Sequence, residues 1–208
     1  MPHLVRGADG KVPVAVFLSG RGTNLAALAA AAAEAAYPAR IAVVVSDRPD
    51  AGGLTIARSH AIATSVVSRR DYAVRDEFDA ALGEVAVEAG AELIALAGFM
   101  RILGAPFVAR WRDRILNIHP SLLPALRGLD THARALAAGA GEHGATVHLV
   151  TEALDDGPIL AQVRVPILPE DDSDRLAARV LAAEHALYPG ALAAYIEQKV
   201  EPFRLPQD

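Results

Sequence analysis

The sequence contains no cysteine. That absence removes disulfides, thiolate metal ligands and a cysteine nucleophile from the available chemistry. It also lacks a basic excess: the formal net charge is −5. General nucleic-acid binding draws on basic surface, so no nucleic-acid partner is expected. A small phosphorylated ligand is still allowed, because it needs only a local cluster of donors. No apolar run approaches the ~20 residues of a membrane span. The run Val12–Leu18 ends in Ser-Gly-Arg-Gly without a cleavage-site pattern. Neither a membrane partner nor a signal peptide is expected, and the expected address is the cytoplasm. Internal repeats, linkers and low-complexity segments are missing too, apart from an alanine-rich first helix.

What is present is a 208-residue chain that is 52% hydrophobic, enough for one well-packed domain. Short Val/Ile/Leu runs alternate with longer amphipathic stretches. The runs Val14–Leu18, Ile41–Val45, Ile62–Val67 and Leu93–Ala97 read as strands, with helices over Thr23–Ala36, Leu54–His60 and Asp71–Glu88. Nearly continuous apolar strands are those of a parallel sheet covered on both faces. After Trp111 the rhythm changes. Strands are expected at Ile115–Ile118, Ala145–Val150 and Ile159–Val165, with a short helix over Thr131–Ala138. A tight turn at Asp155-Asp156-Gly157-Pro158 joins the last two strands. A final helix, Ser173–Ile196, carries a break signal at Tyr188-Pro189-Gly190. The predicted fold is α/β, a Rossmann-like doubly wound, mostly parallel sheet with an added antiparallel C-terminal element. One domain is expected over 12–198, with terminal extensions at 1–11 and 199–208.

Two places carry chemistry. The first is Ser19-Gly20-Arg21-Gly22-Thr23-Asn24-Leu25, between the first strand and the first helix. Glycines let the backbone approach a ligand, and the helix N-terminus offers unpaired N–H groups. Leu25 replaces the third glycine of a dinucleotide fingerprint, although Asp47 stands where a ribose-binding acid could lie. A phosphate monoester suits Thr23 and Asn24 better; a plain capped turn is the bland alternative.

The second is Asn117-Ile118-His119-Pro120, where a buried strand stops. Ligands of open α/β sheets bind beyond the carboxyl ends of strands. Asn117 and His119, two apart on an extended segment, share a face. Leu154-Asp155-Asp156-Gly157-Pro158 could converge on the same edge. Serine-hydrolase chemistry would need a G-x-S-x-G elbow, which is absent. A zinc site could collect His119, His132, His148 and Asp155, yet no paired ligand spacing supports it. Transfer between two bound small molecules needs an oxyanion stabiliser, an acid and a proton-handling carboxylate, and Asn, His and Asp meet that list.

The order S-G-x-G-T-N-L, L-A-G-F-M-R-I-L, N-I-H-P-S-L-L-P and L-D-x-G-P, spread over about Val12 to Ile196, resembles the glycinamide ribonucleotide branch of the folate-dependent formyltransferases. The resemblance implies transfer of a formyl group from 10-formyltetrahydrofolate to the glycine amine of 5-phosphoribosylglycinamide, in purine biosynthesis and with no metal. It implies catalytic roles for Asn117, His119 and Asp155. It places the ribonucleotide against Gly22, Thr23, Asn24, Leu25 and Glu184. It places the folate against Arg75, Met100, Arg101, Ile102, Leu103, Asn117, Thr151 and Asp155. The implied partners are these two small molecules, and a homodimer stays open. Methionyl-tRNA formyltransferase would add a C-terminal tRNA domain, and formyltetrahydrofolate hydrolase an N-terminal regulatory domain; neither is expected here. A non-catalytic nucleotide-binding module would keep the glycine-rich turn without needing Asn117, His119 and Asp155 together.

Overall fold

The computed structural model describes residues 2–205. Val12–Leu18 forms β1, Ala39–Ser46 β2, Thr64–Val66 β3, Leu93–Leu96 β4, Ile115–His119 β5, Glu142–Leu149 β6 and Ile159–Pro166 β7. The helices are α1 (Thr23–Ala33), α2 (Gly52–Ser59), α3 (Arg75–Glu88), α4 (Ala105–Arg110), α5 (Thr131–Ala137) and α6 (Ser173–Ile196). The strands make one sheet in the order β3-β2-β1-β4-β5-β6-β7. Pairing is parallel from β3 to β5 and antiparallel for β5–β6 and β6–β7. The expected doubly wound sheet with an antiparallel end is the observed one.

Every residue of β1 is buried, because each face of the sheet is covered. Val14, Val16 and Leu18 point into a cluster with Leu25 and Leu28 of α1, Leu54 of α2, and Tyr188 and Leu192 of α6. Ala15 and Phe17 point the other way, onto Phe78 and Leu82 of α3, Phe107 of α4 and Trp111. Burial of each large apolar side chain stabilises by about 1.5–3 kcal/mol, so this two-sided core fixes where the strands end. The chain runs outward from β1 to β3 and returns to β4 beside β1. The two strand ends are tied there: Ser19 N–H donates to the Gly98 carbonyl at 3.0 Å, and the Met100 N–H to Ser19 Oγ at 2.8 Å. This reversal of direction is where such sheets open a ligand crevice.

Several boundaries differ from expectation. Helix α1 stops at Ala33, three residues early, and the chain turns through Tyr37 N–H to Glu34 O at 3.1 Å ahead of Pro38, which disfavours helix before it. A single 3₁₀ turn, Arg69–Asp71, and extended residues Tyr72 and Val74 precede α3. Tyr72 packs edge-on against Phe78 at 5.9 Å, so the aromatic contact sets the helix entry. Helix α6 passes through Pro189 unbroken. Its buried residues Leu176, Val180, Glu184, Tyr188, Leu192 and Tyr195 run along one face on both sides of the proline, and that packing outweighs the lost backbone bond. The β6–β7 connection is no four-residue turn but the longer segment 150–158. Beyond α6 the chain returns to the sheet, where Phe203 bridges Ile159.

Candidate active site

Asn117 and His119 occupy the last turn of the pleat in β5, on one face. Antiparallel β6 sets His148 directly opposite Asn117 and Thr146 opposite His119. Opposed residues of an antiparallel pair project to the same side, so three strand positions converge. His148 is 2% exposed, and burial pushes its imidazole toward the neutral form. Its Nδ1 lies 2.9 Å from the Leu149 carbonyl, which can only accept, so Nδ1 carries the hydrogen. That leaves Nε2 as an acceptor, 3.1 Å from Asn117 Nδ2, and the amide donates to it. The orientation of the Asn117 amide is therefore set by a histidine whose tautomer is set by the backbone. Thr146 supports the other side: its Oγ1 donates to the Ser121 carbonyl at 2.6 Å and accepts the Leu123 N–H at 3.1 Å.

Asp155 reaches the same place from the 150–158 connection, with positive φ (48°) at its own residue. Its side chain is 8% exposed; Oδ2 lies 3.4 Å from His119 Nδ1, and Oδ1 lies 3.7 Å from His148 Nε2. Oδ2 also accepts the Gly128 N–H at 2.9 Å. His119 Nε2 donates to the Leu126 carbonyl at 3.0 Å. A proton on Nδ1 then makes the Asp155 contact an ion pair. Both ring nitrogens are thus engaged, and donation to a reacting oxygen requires the 126–128 segment to release Nε2. Leu126 has φ 54° and Gly128 φ 79°, so left-handed residues stand on either side of Arg127 in the segment that contacts His119 and Asp155.

The glycine-rich turn begins at the end of β1. Gly22 precedes α1 with φ 80°, and a Cβ there would lie 2.4 Å from Gly53 Cα, so glycine permits contact with the start of α2. Ala26 is the first residue whose N–H is answered within the helix, by the Gly22 carbonyl at 2.9 Å. The N–H groups of Thr23, Asn24 and Leu25 precede it and form the donor end of the helix. Leu25 contributes only backbone, because its side chain is in the core. Asn24 Nδ2 donates to Glu184 Oε2 at 2.7 Å; both residues are buried, and burial raises the Glu184 carboxyl above the usual range. Residues 160 apart in sequence are thereby joined. Asp47, the acid of the dinucleotide alternative, is engaged within the chain: its buried Oδ2 accepts from Arg101 Nε at 2.7 Å.

Between these two places lies the segment after β4. Met100 and Ile102 are 67% and 60% exposed, whereas Leu103 is buried. Arg101 is turned toward Asp47, with its guanidinium half-exposed. Arg75 stands apart at the start of α3, half-exposed, with Nε 4.0 Å from Asp79 Oδ2. Thr151 Oγ1 donates to the Ala153 carbonyl at 3.3 Å within the connection that delivers Asp155. Of the zinc alternative, His119 and His148 approach Asp155, but His132 does not join them. His132 packs edge-on against His143 at 5.1 Å, and no group of three or more His, Asp or Glu among the described residues could hold a metal ion. Sequence reasoning reaches His148 only as a metal ligand and does not reach Asp79; the strand register that brings His148 to Asn117 is the missing signal.

The chain is similar to known proteins over most of its length. The Formyl transferase family matches residues 12–192. The phosphoribosylglycinamide formyltransferase of Haemophilus influenzae is 42% identical over 187 residues, covering 90% of this chain and 88% of the relative. A trifunctional purine biosynthetic protein, adenosine-3, of Drosophila melanogaster is 47% identical over 185 residues, 88% of this chain; the match spans only 14% of that longer protein. Among solved structures, glycinamide ribonucleotide transformylase 1 from Symbiobacterium toebii superposes with a TM-score of 0.90 at 40% identity, covering 98% of this chain and 99% of that one. Phosphoribosylglycinamide formyltransferase from Brucella melitensis gives 0.86 at 49% identity, covering 89% and 96%.

Proposed function

The chain belongs to the formyl transferase family, and we propose that it moves the formyl group of 10-formyltetrahydrofolate onto the glycine amine of 5-phosphoribosylglycinamide. The products are formylglycinamide ribonucleotide and tetrahydrofolate, in purine biosynthesis. The observation that carries this reading is the assembly of Asn117, His119 and Asp155 at the end of β5, with the phosphate-type cradle and the exposed Met100 and Ile102 beyond the neighbouring strands.

The ribonucleotide phosphate takes the backbone N–H groups of Thr23, Asn24 and Leu25, where the helix N-terminus favours an anion. Gly22 lets it approach, and Glu184, held by Asn24, faces the ribose. The donor lies on the far side. Its flat pterin suits the apolar Met100 and Ile102 side chains and the backbone of Arg101 and Leu103. Arg75 suits the acidic tail, and Thr151 to Asp155 close the other wall.

In the reaction the amine nitrogen attacks the formyl carbon, and the carbonyl oxygen becomes an oxyanion. Asn117 has one amide hydrogen on His148 and a second for that oxygen. His119, released from the Leu126 carbonyl, gives Nε2–H to the same oxygen. Each such donor contributes on the order of 10²–10³-fold. Asp155 holds His119 and accepts the proton that the attacking amine loses. The carbon–N10 bond then breaks, the carbonyl re-forms, and N10 receives a proton. Proton transfer of this kind contributes roughly 10²–10⁴-fold. All the groups named come from one chain, and a cytoplasmic address suits the pathway. Mass spectrometry of the ribonucleotide after incubation with donor and enzyme tests the reading: a formyl group on the glycine nitrogen supports it, and an unmodified ribonucleotide contradicts it.

A further inference from the structure

One buried acid takes no part in formyl transfer as derived for Asn117, His119 and Asp155. Asp79, on the second turn of α3, is 2% exposed. Its Oδ2 accepts the Gly104 N–H at 2.7 Å, and its Oδ1 is buried with no hydrogen-bond partner among the described residues. A carboxylate costs several kcal/mol to desolvate, so a single backbone bond is a poor return unless its position matters. Gly104 closes the segment that carries Met100, Arg101, Ile102 and Leu103. That segment is held by side chains from three separate elements. Ser19, after β1, accepts the Met100 N–H through Oγ. Asp47, after β2, takes Arg101 Nε. Asp79, from α3, takes the Gly104 N–H.

Two further observations single out Asp79 among the three. Arg75 stands one turn before it on α3, Nε 4.0 Å from the same Oδ2 that holds Gly104. The carboxylate therefore touches both an expected contact for the donor's acidic tail and the end of the expected pterin wall. In addition, a Cβ on Gly104 would lie 3.1 Å from Arg75 Nη2, Asp76 Oδ1 and Asp79 Oδ2 alike. Glycine is what lets the segment close onto this charged cluster; its φ of −73° demands no glycine on backbone grounds.

We propose that Asp79 is a positioning residue for the formyl donor, fixing the Met100–Leu103 wall through Gly104 and aiming Arg75 at the donor's carboxylates. This rests on the donor assignment made under the proposed function. Met100 and Ile102 are large apolar groups kept in solvent, an arrangement that a free segment would relieve by folding them inward. Pinning the backbone at both ends keeps that surface ready.

The test is steady-state kinetics and folate-analogue binding on Asp79→Ala, Asp79→Asn and Gly104→Ala. In Asp79→Ala the KM for the donor rises by about tenfold or more, the scale of one lost positioning hydrogen bond. The KM for the ribonucleotide stays within about twofold, because the cradle is untouched. Asp79→Asn keeps an acceptor for Gly104 and recovers most of the loss. Gly104→Ala raises the donor KM in the same selective way, because its Cβ pushes the segment away from Asp79 while the carboxylate itself is kept. Folded Asp79→Ala protein with an unchanged donor KM, or with both KM values rising together, overturns the proposal. If Asp79→Ala does not fold, Gly104→Ala decides by the same criterion. Thermal stabilisation by a non-reactive folate analogue separates the two claims. A wild-type chain that gains none contradicts the donor assignment and the proposal with it; a wild-type and an Asp79→Ala chain that gain equally contradict the proposal alone.

Discussion

His148 Nε2 lies 3.1 Å from Asn117 Nδ2, on the antiparallel strand directly opposite. The contact orients an amide through a neutral ring whose other nitrogen is committed to the Leu149 carbonyl. Replacing His148 by Leu frees the amide to rotate while filling most of the volume. Turnover is expected to fall by about 10- to 100-fold, a fraction of what a whole oxyanion donor contributes. Residues acting as one unit are non-additive. The double variant His148→Leu/Asn117→Ala should therefore be little slower than Asn117→Ala alone; multiplying losses would show that the two act separately.

The trio itself should be far more sensitive. His119→Ala or Asp155→Asn is expected to lower kcat by roughly 10²–10⁴-fold, with a native circular-dichroism spectrum. A fully active His119→Ala protein would remove the histidine from the mechanism.

That trio is legible in the sequence, and its surroundings are not. Asn117 and His119 announce themselves because an amide and an imidazole interrupt a strand that is otherwise apolar, and prolines stop it. The alternating strands are legible for a related reason: a parallel strand covered on both faces is apolar throughout, as β1 is. The partnership with His148 depends on which strand lies beside β5 and in which register, and residues 31 apart carry no local trace of that. Asp79 hides similarly, as an acid on an otherwise ordinary helix, until Gly104 arrives from the far side of β4. The unbroken α6 shows the same limit. Pro189 is a local signal, and Tyr188, whose hydroxyl lies 3.1 and 3.0 Å from the carbonyls of Leu96 and Leu116, is a tertiary one that prevails.

The two residues of the cradle should behave differently. Thr23→Ala keeps the backbone N–H but removes the hydroxyl at the donor end of α1, and is expected to raise the ribonucleotide KM modestly with little effect on melting. Asn24→Ala removes the donor to buried Glu184 and leaves that group unpaired, at a cost of about 1–3 kcal/mol. It should lower the melting temperature as well as weaken ribonucleotide binding. A weakened donor KM alone, in either variant, would put the substrates the wrong way round.

Acid should destabilise the chain through His132 and His143. Burial, then mutual charge repulsion with neighbouring histidines, holds both below the ordinary 6.5, His143 down to about 4. The unfolded chain takes up these protons below 6.5 while the native one resists, so stability is complete above that pH and falls as pH drops toward 4. Buried Asp79 and Glu184 have raised values and act in the opposite sense, so the histidine effect is read by difference. Urea unfolding at about pH 7.5 and about pH 5, on either side of the free-histidine value, should show a smaller pH-dependent loss in His143→Leu than in the parent. An equal loss in both would exclude His143.

The proposed reaction sends the formyl group to the ribonucleotide amine and not to water. The most direct measurement is formyl-donor turnover, followed by folate absorbance, with and without glycinamide ribonucleotide. Turnover that requires the ribonucleotide is the predicted result. Equal turnover without it would make water the acceptor at the same Asn117, His119 and Asp155, and would contradict the account.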